Sequence, residues 1–167
     1  MKIVACDPGV KESAFAHFEG RRLVKCYSAK SVKIRAADFA LIEMPRVYPG
    51  NGKGDPNHLV DLAAVAGGVQ KELEMKGARA EYVHPQKWKG HLKKPPHHAR
   101  VWLQMSDQDR EILARAAGYT PREVKEKIHA ACMRLAHSGR VSGYSWKAHN
   151  LLDAVGLGLY AIRHFDL

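Results

Sequence analysis

The sequence has few cysteines and no long apolar run. Its 167 residues include 3 cysteines, an odd number at wide spacing, so neither structural disulfides nor a paired-cysteine zinc site is expected. No apolar run approaches the roughly 20 residues that cross a bilayer. An acid follows the very short apolar run at the amino terminus, which is unlike a secretory signal. We therefore predict a cytoplasmic protein without a membrane segment, with Cys6, Cys26 and Cys132 as small core residues.

Acidic residues are scarce relative to basic ones. The chain has 27 Lys and Arg against 17 Asp and Glu, a formal net charge of +10 and a pI of about 9.7. This excess favours a polyanionic partner, although basic charge also serves solubility alone. The charge is concentrated, since His84–Arg100 holds lysines, arginine and histidines but no acid. A site beside this segment would attract nucleic acid.

The alternation of apolar and turn-forming residues predicts an α/β domain with a mixed sheet. Three short apolar runs separated by turns predict an antiparallel meander, and a fourth, almost wholly apolar run predicts a central strand. Two glycines inside the first helix, Gly67 and Gly68, predict close approach by another element. The predicted strands are Lys2–Cys6, Ser13–Phe18, Arg22–Ser28, Phe39–Glu43 and Ala80–Val83. The predicted helices run from Asn57 to Leu73, from Ser106 or Asp107 to about Ala117, from the cap at Gly118–Pro121 to about His137, and over Trp146–Phe165.

Three acidic residues interrupt apolar segments: Asp7 ends the first strand, Glu43 ends the fourth, and Asp153 lies within the last helix. A buried carboxylate is costly unless it is paired or bound to a metal. Each residue has an ordinary explanation: a turn at Asp7, a lysine partner for Glu43, and a water-facing position for Asp153. Their joint occurrence favours one acidic site, which a cation must neutralise. Hard oxygen ligands of this kind suit Mg²⁺ or Mn²⁺.

Such a site could hold two ions about 4 Å apart, which activate a water and stabilise the leaving oxygen of a phosphodiester. His149 and Asn150 lie four and three residues before Asp153, so either can share its helix face and supply a fourth ligand. A lone helical histidine is also commonly structural. The choice between His149 and Asn150 stays open.

The ordered motifs resemble the RuvC-type Holliday junction resolvases of the ribonuclease H-like superfamily, in particular their shorter phage-like members. The family has Asp-x-Gly at the end of strand one, a Glu that ends a later strand, a strand–Pro–Lys segment that leads into a lysine-bearing helix, and an acid or His three residues before Asp-Ala. The matching residues are Asp7-Pro8-Gly9, Ile42-Glu43, Tyr82–Gly90 and Asn150-Leu-Leu-Asp153-Ala154.

This resemblance implies a ribonuclease H-like α/β fold, with a five-stranded mixed sheet whose first three strands are antiparallel, flanked by helices. It implies one nuclease domain over residues 1–167, to which a helical pair at about 106–138 is added for DNA or dimer contact. It further implies a homodimer that nicks four-way DNA junctions symmetrically, leaving 5′-phosphate ends, with Mg²⁺ and without a small-molecule cofactor. By motif, the metal ligands are Asp7, Glu43 and Asp153 with His149 or Asn150, and Lys87, Lys89 or Lys94 contacts the scissile phosphate.

The basic segment and the glycine-rich loop after Glu43 form the expected DNA surface. Lysines there act as mobile point charges for phosphates. Trp88 and Trp102 either stack on an unpaired base or attach the segment to the core, and the loop is either a junction-reading element or a solvated turn. The helix from Asn57 is the expected dimer contact, since a two-fold junction needs two sites. The expected nucleic-acid-binding residues are Arg46, Tyr48, Asn51, Lys53, Lys87, Lys89, Lys93, Lys94 and Arg100.

Other functions fit the same pattern. A ribonuclease H-like nuclease could act on flaps, branched replication DNA or RNA instead of four-way junctions. A junction-binding protein without catalytic activity is the alternative from another class, and Asn150 in place of an acid or histidine is the feature that favours it. An actin-like ATPase fragment also opens with Asp-x-Gly, but it needs a second nucleotide-binding half for which this chain is too short.

Overall fold

The computed structural model describes residues 1–45, 56–140, 144–165 and 167. Four residues of the expected DNA surface, Arg46, Tyr48, Asn51 and Lys53, lie outside these described residues. The described elements, in chain order, are β1 (Lys2–Asp7), β2 (Ser13–Glu19), β3 (Arg22–Ala29), β4 (Phe39–Glu43), α1 (Pro56–Met75), β5 (Arg79–Val83), α2 (Pro85–Lys89), α3 (Lys94–Gln104), α4 (Asp107–Ala117), α5 (Pro121–Ser138) and α6 (Ala148–His164).

The five strands form one mixed sheet in the order β3-β2-β1-β4-β5. β1, β2 and β3 are antiparallel neighbours, and a tight turn with Gly20 at φ 59° joins β2 to β3. β4 runs parallel to β1 on one side and to β5 on the other. The predicted meander and the central position of the fourth strand are both confirmed.

Each central strand is buried on both faces, which explains its nearly continuous apolar sequence. Side chains alternate along β1: Ile3 and Ala5 belong to the core on the α6 side, whereas Val4 and Cys6 belong to the core on the α1 side. β4 alternates in the same way, and its Leu41 lies on the α6 side. The residues two positions after Ala5 and Leu41 therefore also face α6.

Helix α6 approaches the sheet and its neighbouring helices closely because it carries glycines where they meet. A Cβ added at Gly156 would lie 2.7 Å from Val101 Cγ2 and 3.0 Å from Trp88 Cζ3, and one added at Gly158 would overlap the buried Phe18 ring. Glycine is therefore required at both positions by close approach rather than by backbone conformation.

The glycines of α1 behave differently from our prediction. Gly67 and Gly68 are exposed, and a Cβ added at either would meet no atom of the described residues within 4 Å. Within the described part of the chain, the predicted close approach of another element is wrong. α1 itself begins at Pro56, so Asn57 lies inside the helix.

The basic segment forms two helices, α2 and α3, of which the residue pattern gave no indication. Each of its prolines occupies the first turn of a helix: Pro85 begins α2, and Pro95 and Pro96 follow the first residue of α3. Proline is tolerated there because first-turn N–H groups have no partner within the helix. The lysine-bearing helix that the family resemblance implied corresponds to α3.

Helices α4 and α5 begin as their sequences predict, with reciprocal capping at both amino termini. Ser106 and Asp109 form one capping box, and Thr120 and Glu123 form the other. α4 lies against β3, α5 lies against α3, and the buried Asp109 accepts a hydrogen bond from the Leu23 backbone N–H at 3.0 Å.

The cysteines are free: Cys6 and Cys26 are buried and Cys132 is half-buried. Among the helices of the described ranges, none has the length and apolar character needed to cross a membrane.

Candidate metal site and basic helices

The sheet places Asp7 and Glu43 side by side. β1 and β4 are parallel, and Cys6 pairs with Ile42, so the residue that follows each of them lies at the same edge of the sheet. Both side chains point to the face covered by α6, as the alternation along the strands requires. Two of the three predicted acids are therefore neighbours at the carboxyl ends of parallel strands.

Asp153 comes to this edge from the first half of α6. It is 1% exposed and bridges two basic side chains: Lys94 Nζ donates to its Oδ2 at 2.9 Å, and His98 Nε2 lies 3.1 Å from its Oδ1. The expectation that Asp153 is buried rather than water-facing is confirmed. Both partners come from α3, so this helix holds the carboxylate in one orientation.

Glu43 is held by α2 in a similar way. Lys89 Nζ lies 3.1 Å from Oε2 and 3.3 Å from Oε1, and Trp88 Nε1 donates to Oε2 at 2.9 Å. The lysine partner considered for Glu43 from the sequence is thus present. Two adjacent residues of a five-residue helix fix both oxygens of the carboxylate.

Charge in this site is only partly balanced. Burial raises the pKa of Asp7 well above its ordinary value, and the Asp153 and Glu43 charges raise it further against the opposing effect of Lys94 and Lys89. Burial likewise raises the pKa of Glu43 despite Lys89. Asp7 is therefore the carboxylate that most lacks a cation.

Asp153 is the exception among the three. Burial alone would raise its pKa, but the hydrogen bond and charge of His98, together with Lys94 and Lys89, lower it below the ordinary value. Lys89 responds in the opposite sense: burial would lower its pKa, yet Asp153 and Glu43 outweigh burial and raise it. Asp153 and Lys89 are consequently both ionised at neutral pH.

Two residues behind Asp153, His98 and Tyr144, were not predicted from the sequence. His98 is fully buried, and its second nitrogen, Nδ1, lies 2.8 Å from the Tyr144 hydroxyl. Both ring nitrogens are therefore occupied, which fixes the imidazole against the carboxylate. The adjacent His-His pair inside the basic segment could have indicated this role. Once the segment forms a helix, one histidine of the pair must face the core.

His149 and Asn150, the alternatives for a fourth ligand, occupy different environments. His149 Nδ1 lies 2.9 Å from Asn150 Oδ1. Burial and Lys94 lower the pKa of His149 to about 4, so its imidazole is neutral and able to bind a metal at neutral pH. Asn150 is exposed and touches the site through His149.

One group of side chains has ligand atoms close enough to hold a metal together. Among the described residues these are His98, His149 and Asp153, whose ligand atoms all lie within 4.8 Å of one another. Since His98 is already bonded at both nitrogens, His149 and Asp153 are the better ligands. Asp7 and Glu43 lie outside this group, although the Asp153 charge raises the pKa of both. The Asp153 carboxylate and a neutral imidazole fit a divalent cation, and Asp7 and Glu43 add two carboxylates at the same edge of the sheet.

The remaining residues of the basic segment lie in different places. Lys87 is exposed, Lys93 Nζ donates to the Gly139 carbonyl at 2.9 Å, and Arg100 Nη2 lies 3.5 Å from the Trp88 carbonyl. Trp88 and Trp102 are both 5% exposed. The tryptophans therefore attach the basic helices to the core, and the alternative of base stacking is not supported.

The electrostatics of Asp7 lead to a first prediction, on stability without metal. Its folded pKa is raised, so the folded protein keeps a proton that the unfolded chain releases near pH 4. The stability contribution is full below that pH and is lost as pH rises through the folded pKa. Asp7→Asn should therefore raise the melting temperature of the metal-free protein above pH 6 by a few °C, at about 2–4 °C per kcal/mol.

Thermal melts in EDTA at pH 4 and pH 7 test this prediction, and the gain should shrink at the lower pH. Added Mg²⁺ should stabilise the wild type more than the variant, because the variant lacks the charge that binds the ion. A variant less stable than the wild type at pH 7 would contradict it. Glu19→Gln, an exposed acid at the far end of the sheet, is the control.

The sheet order, the antiparallel first three strands and the flanking helices define an α/β protein with a ribonuclease H-like fold. A solved structure with this architecture is "T. thermophilus RuvC in complex with Holliday junction substrate", with a TM-score of 0.50, 12% identity, and coverage of 98% of this chain and 96% of that chain. The chain is also similar to "Thermus thermophilus RuvC structure", with a TM-score of 0.46, 13% identity, and coverage of 99% of this chain and 97% of that chain. No protein-family model and no curated protein matches the sequence.

Proposed function

We propose that this protein is a metal-dependent nuclease that resolves four-way DNA junctions by hydrolysis of phosphodiester bonds. The observation that carries the proposal is the acidic edge: Asp7 and Glu43 on adjacent parallel strands face a buried Asp153 from α6. Three carboxylates, one buried and two half-buried, are costly to bring together unless a cation neutralises them. The similarity to the RuvC complex with its junction substrate concerns the fold and gives the substrate class to be tested first.

The four side chains that would hold Mg²⁺ are Asp7, Glu43, Asp153 and His149, and Mn²⁺ would serve as a substitute. When bound, a pair of such ions lowers the pKa of an attacking water and stabilises the leaving oxygen. His98 and Tyr144 keep Asp153 oriented, and Trp88 keeps Glu43 oriented. These contacts hold the carboxylates in place before the substrate arrives, which is what transition-state stabilisation requires.

Lys89 and Lys94 contribute positive charge at the reacting phosphate in this proposal. Each now pairs with a carboxylate, Lys89 with Glu43 and Lys94 with Asp153. Lys94 is 41% exposed along its side chain, so its ammonium can reach a phosphate without leaving the site. The exposed Lys87, together with Lys93 and Arg100, extends this charge along α2 and α3, and the family's use of such a segment makes it the proposed DNA surface.

We propose a two-fold homodimer of single nuclease domains, with the α4–α5 pair as an addition to the common fold. Symmetric cutting of a two-fold junction needs two sites of opposite orientation. α1 exposes Val60, which is 65% accessible, beside exposed small residues. This is the face with which a second copy would make contact. The exposed residues on this face are Val60, Ala63, Ala64, Gly67 and Gly68.

The second prediction tests the function directly. One preparation, given Mg²⁺, should cut a synthetic four-way junction at paired positions and leave 5′-phosphate ends, at a rate at least tenfold above that on flap, duplex or RNA substrates of matched sequence. EDTA should abolish cutting, and Mn²⁺ should restore it. Gel analysis of end-labelled strands measures both position and rate.

The outcomes separate the candidate functions. Preferred cutting of flaps or RNA would assign the same chemistry to another substrate. Tight junction binding with no cleavage in either metal would show a binding protein without catalytic activity. The convergence of Asp7 and Glu43 on the buried Asp153 favours the nuclease over that second function.

A further inference from the structure

A second basic recess lies between α3 and α6 and is lined in part by Trp88, whose indole donates to Glu43. Its volume is about 160 Å³. Arg163 follows Asp153 by ten residues on α6, which corresponds to roughly 15 Å along the helix axis. We call this recess the Arg100–Arg163 cleft. The polar and aromatic residues that line it are Trp88, His97, Arg100, Gln104, Tyr160 and Arg163.

The charge of the cleft is of one sign. Its lining among the described residues includes two arginines and no acid, and neither arginine forms an ion pair with an acid in the described ranges. Arg100 is nevertheless held in place, since its Nη2 lies 3.5 Å from the Trp88 carbonyl and 3.3 Å from His97 Nδ1. Two guanidinium groups at one recess are side chains that suit the binding of a phosphate.

His97 supplies a second and independent observation. It is 1% exposed, and its Nε2 has no hydrogen-bond partner among the residues that the structure describes. A guanidinium can only donate, so the contact with Arg100 makes His97 Nδ1 the acceptor. The proton of the neutral ring therefore sits on Nε2, as a buried donor without an acceptor. Such a group is costly and calls for an explanation, and an anionic ligand in the cleft would supply the missing acceptor.

We propose that the Arg100–Arg163 cleft binds a phosphate group, with Arg100 and Arg163 providing charge and His97 donating from Nε2. This inference rests on the proposed nuclease function insofar as the phosphate is a phosphodiester of the bound nucleic acid, outside the cutting site. Trp88 connects the two sites, because its indole bonds to Glu43 and its carbonyl bonds to Arg100. A phosphate bound here would hold the substrate strand beside the carboxylates without taking part in the chemistry.

The test replaces both exposed arginines. Arg100→Gln with Arg163→Gln is compared with Arg21→Gln with Arg35→Gln, a control that removes the same charge from exposed positions at the far end of the sheet. Binding to a four-way junction is measured in metal-free buffer at several salt concentrations. The cleft variant should bind the junction about tenfold more weakly than the wild type at low salt. The slope of log binding constant against log salt concentration should become shallower by about one to two. The affinity of the control should stay within about twofold of the wild type.

Inorganic phosphate distinguishes the source of the ligand. Titrating phosphate alone into ¹⁵N-histidine-labelled protein should shift the His97 imidazole signals of the wild type and not those of the cleft variant. Loss of DNA affinity together with this shift supports a phosphodiester ligand, whereas loss without it would show that the two arginines act only as surface charge and would count against the cleft. A phosphate-dependent shift with unchanged DNA affinity supports free phosphate as the ligand. No shift, together with DNA binding that matches the control, would overturn the proposal. If the wild type cuts no substrate but still shows the shift, the proposed nuclease function is refuted and the proposed phosphate site in the Arg100–Arg163 cleft is retained.

Discussion

Replacing Asp7 by Asn should reduce junction cleavage by about a thousandfold or more. Asp7 is the carboxylate that most needs a cation, because burial and the charges of Asp153 and Glu43 all raise its pKa. The amide keeps the shape of the side chain and removes the charge that binds the metal. A loss of about 4 kcal/mol of transition-state stabilisation corresponds to a thousandfold in rate. Asp153→Asn should have an effect of the same size.

Binding must be measured beside cleavage for this result to be meaningful. The affinity of the Asp7 variant for a four-way junction should stay within about threefold of the wild type, because Asp7 is not part of the basic surface. Asp107→Asn, whose side chain is 97% exposed, is the matched control and should cut normally. Cleavage by the Asp7→Asn variant at the wild-type rate would refute the assignment of the acidic edge as a catalytic site.

Replacing Gly158 by Val should destabilise the protein by about 3 kcal/mol. Even one added carbon there would overlap the Phe18 ring, and that ring is fully buried between β2 and α6. Overfilling a close-packed core costs about 1–3 kcal/mol and occasionally more. At about 2–4 °C per kcal/mol, the melting temperature should fall by roughly 6–12 °C.

The same substitution on α1 isolates the cause. Gly68→Val replaces another helical glycine by valine, but no atom of the described residues lies within 4 Å of the added Cβ. At protein concentrations too low for the proposed dimer, it should change the melting temperature little. An equal loss in both variants would show that the cost arises from valine in a helix rather than from contact with Phe18. Gly156→Val should lose cleavage as well as stability, because the added atoms meet Trp88, which holds Glu43.

The sheet was predictable because its determinants are local. Apolar runs of strand length, the turn at Gly20 and a nearly all-apolar fourth strand specify five strands and the meander. The capping residues Ser106 and Thr120 likewise specify where α4 and α5 begin. The three acids stood out for a related reason: a charged residue inside an apolar segment is visible in the sequence itself.

The partners of those acids were less predictable because they depend on tertiary structure. Lys89 and Lys94 were identified as basic residues, but nothing local shows that one binds Glu43 and the other Asp153. His98 was missed because it became a buried partner only through the position of α3 against α6. The α1 glycines show the reverse: their sequence suggested a contact, and the fold of a single chain supplies none.

The hydrogen bond from the Leu23 backbone to Asp109 has a consequence for how the protein behaves at high concentration. β3 is an outermost strand of the sheet, and such a strand offers free backbone donors that can recruit a strand from another molecule. Asp109 occupies one of these donors, and α4 lies over the strand. The helical pair therefore protects the β3 edge from pairing with a strand of another molecule. A shortened chain that lacks the pair would expose this edge and should aggregate more readily.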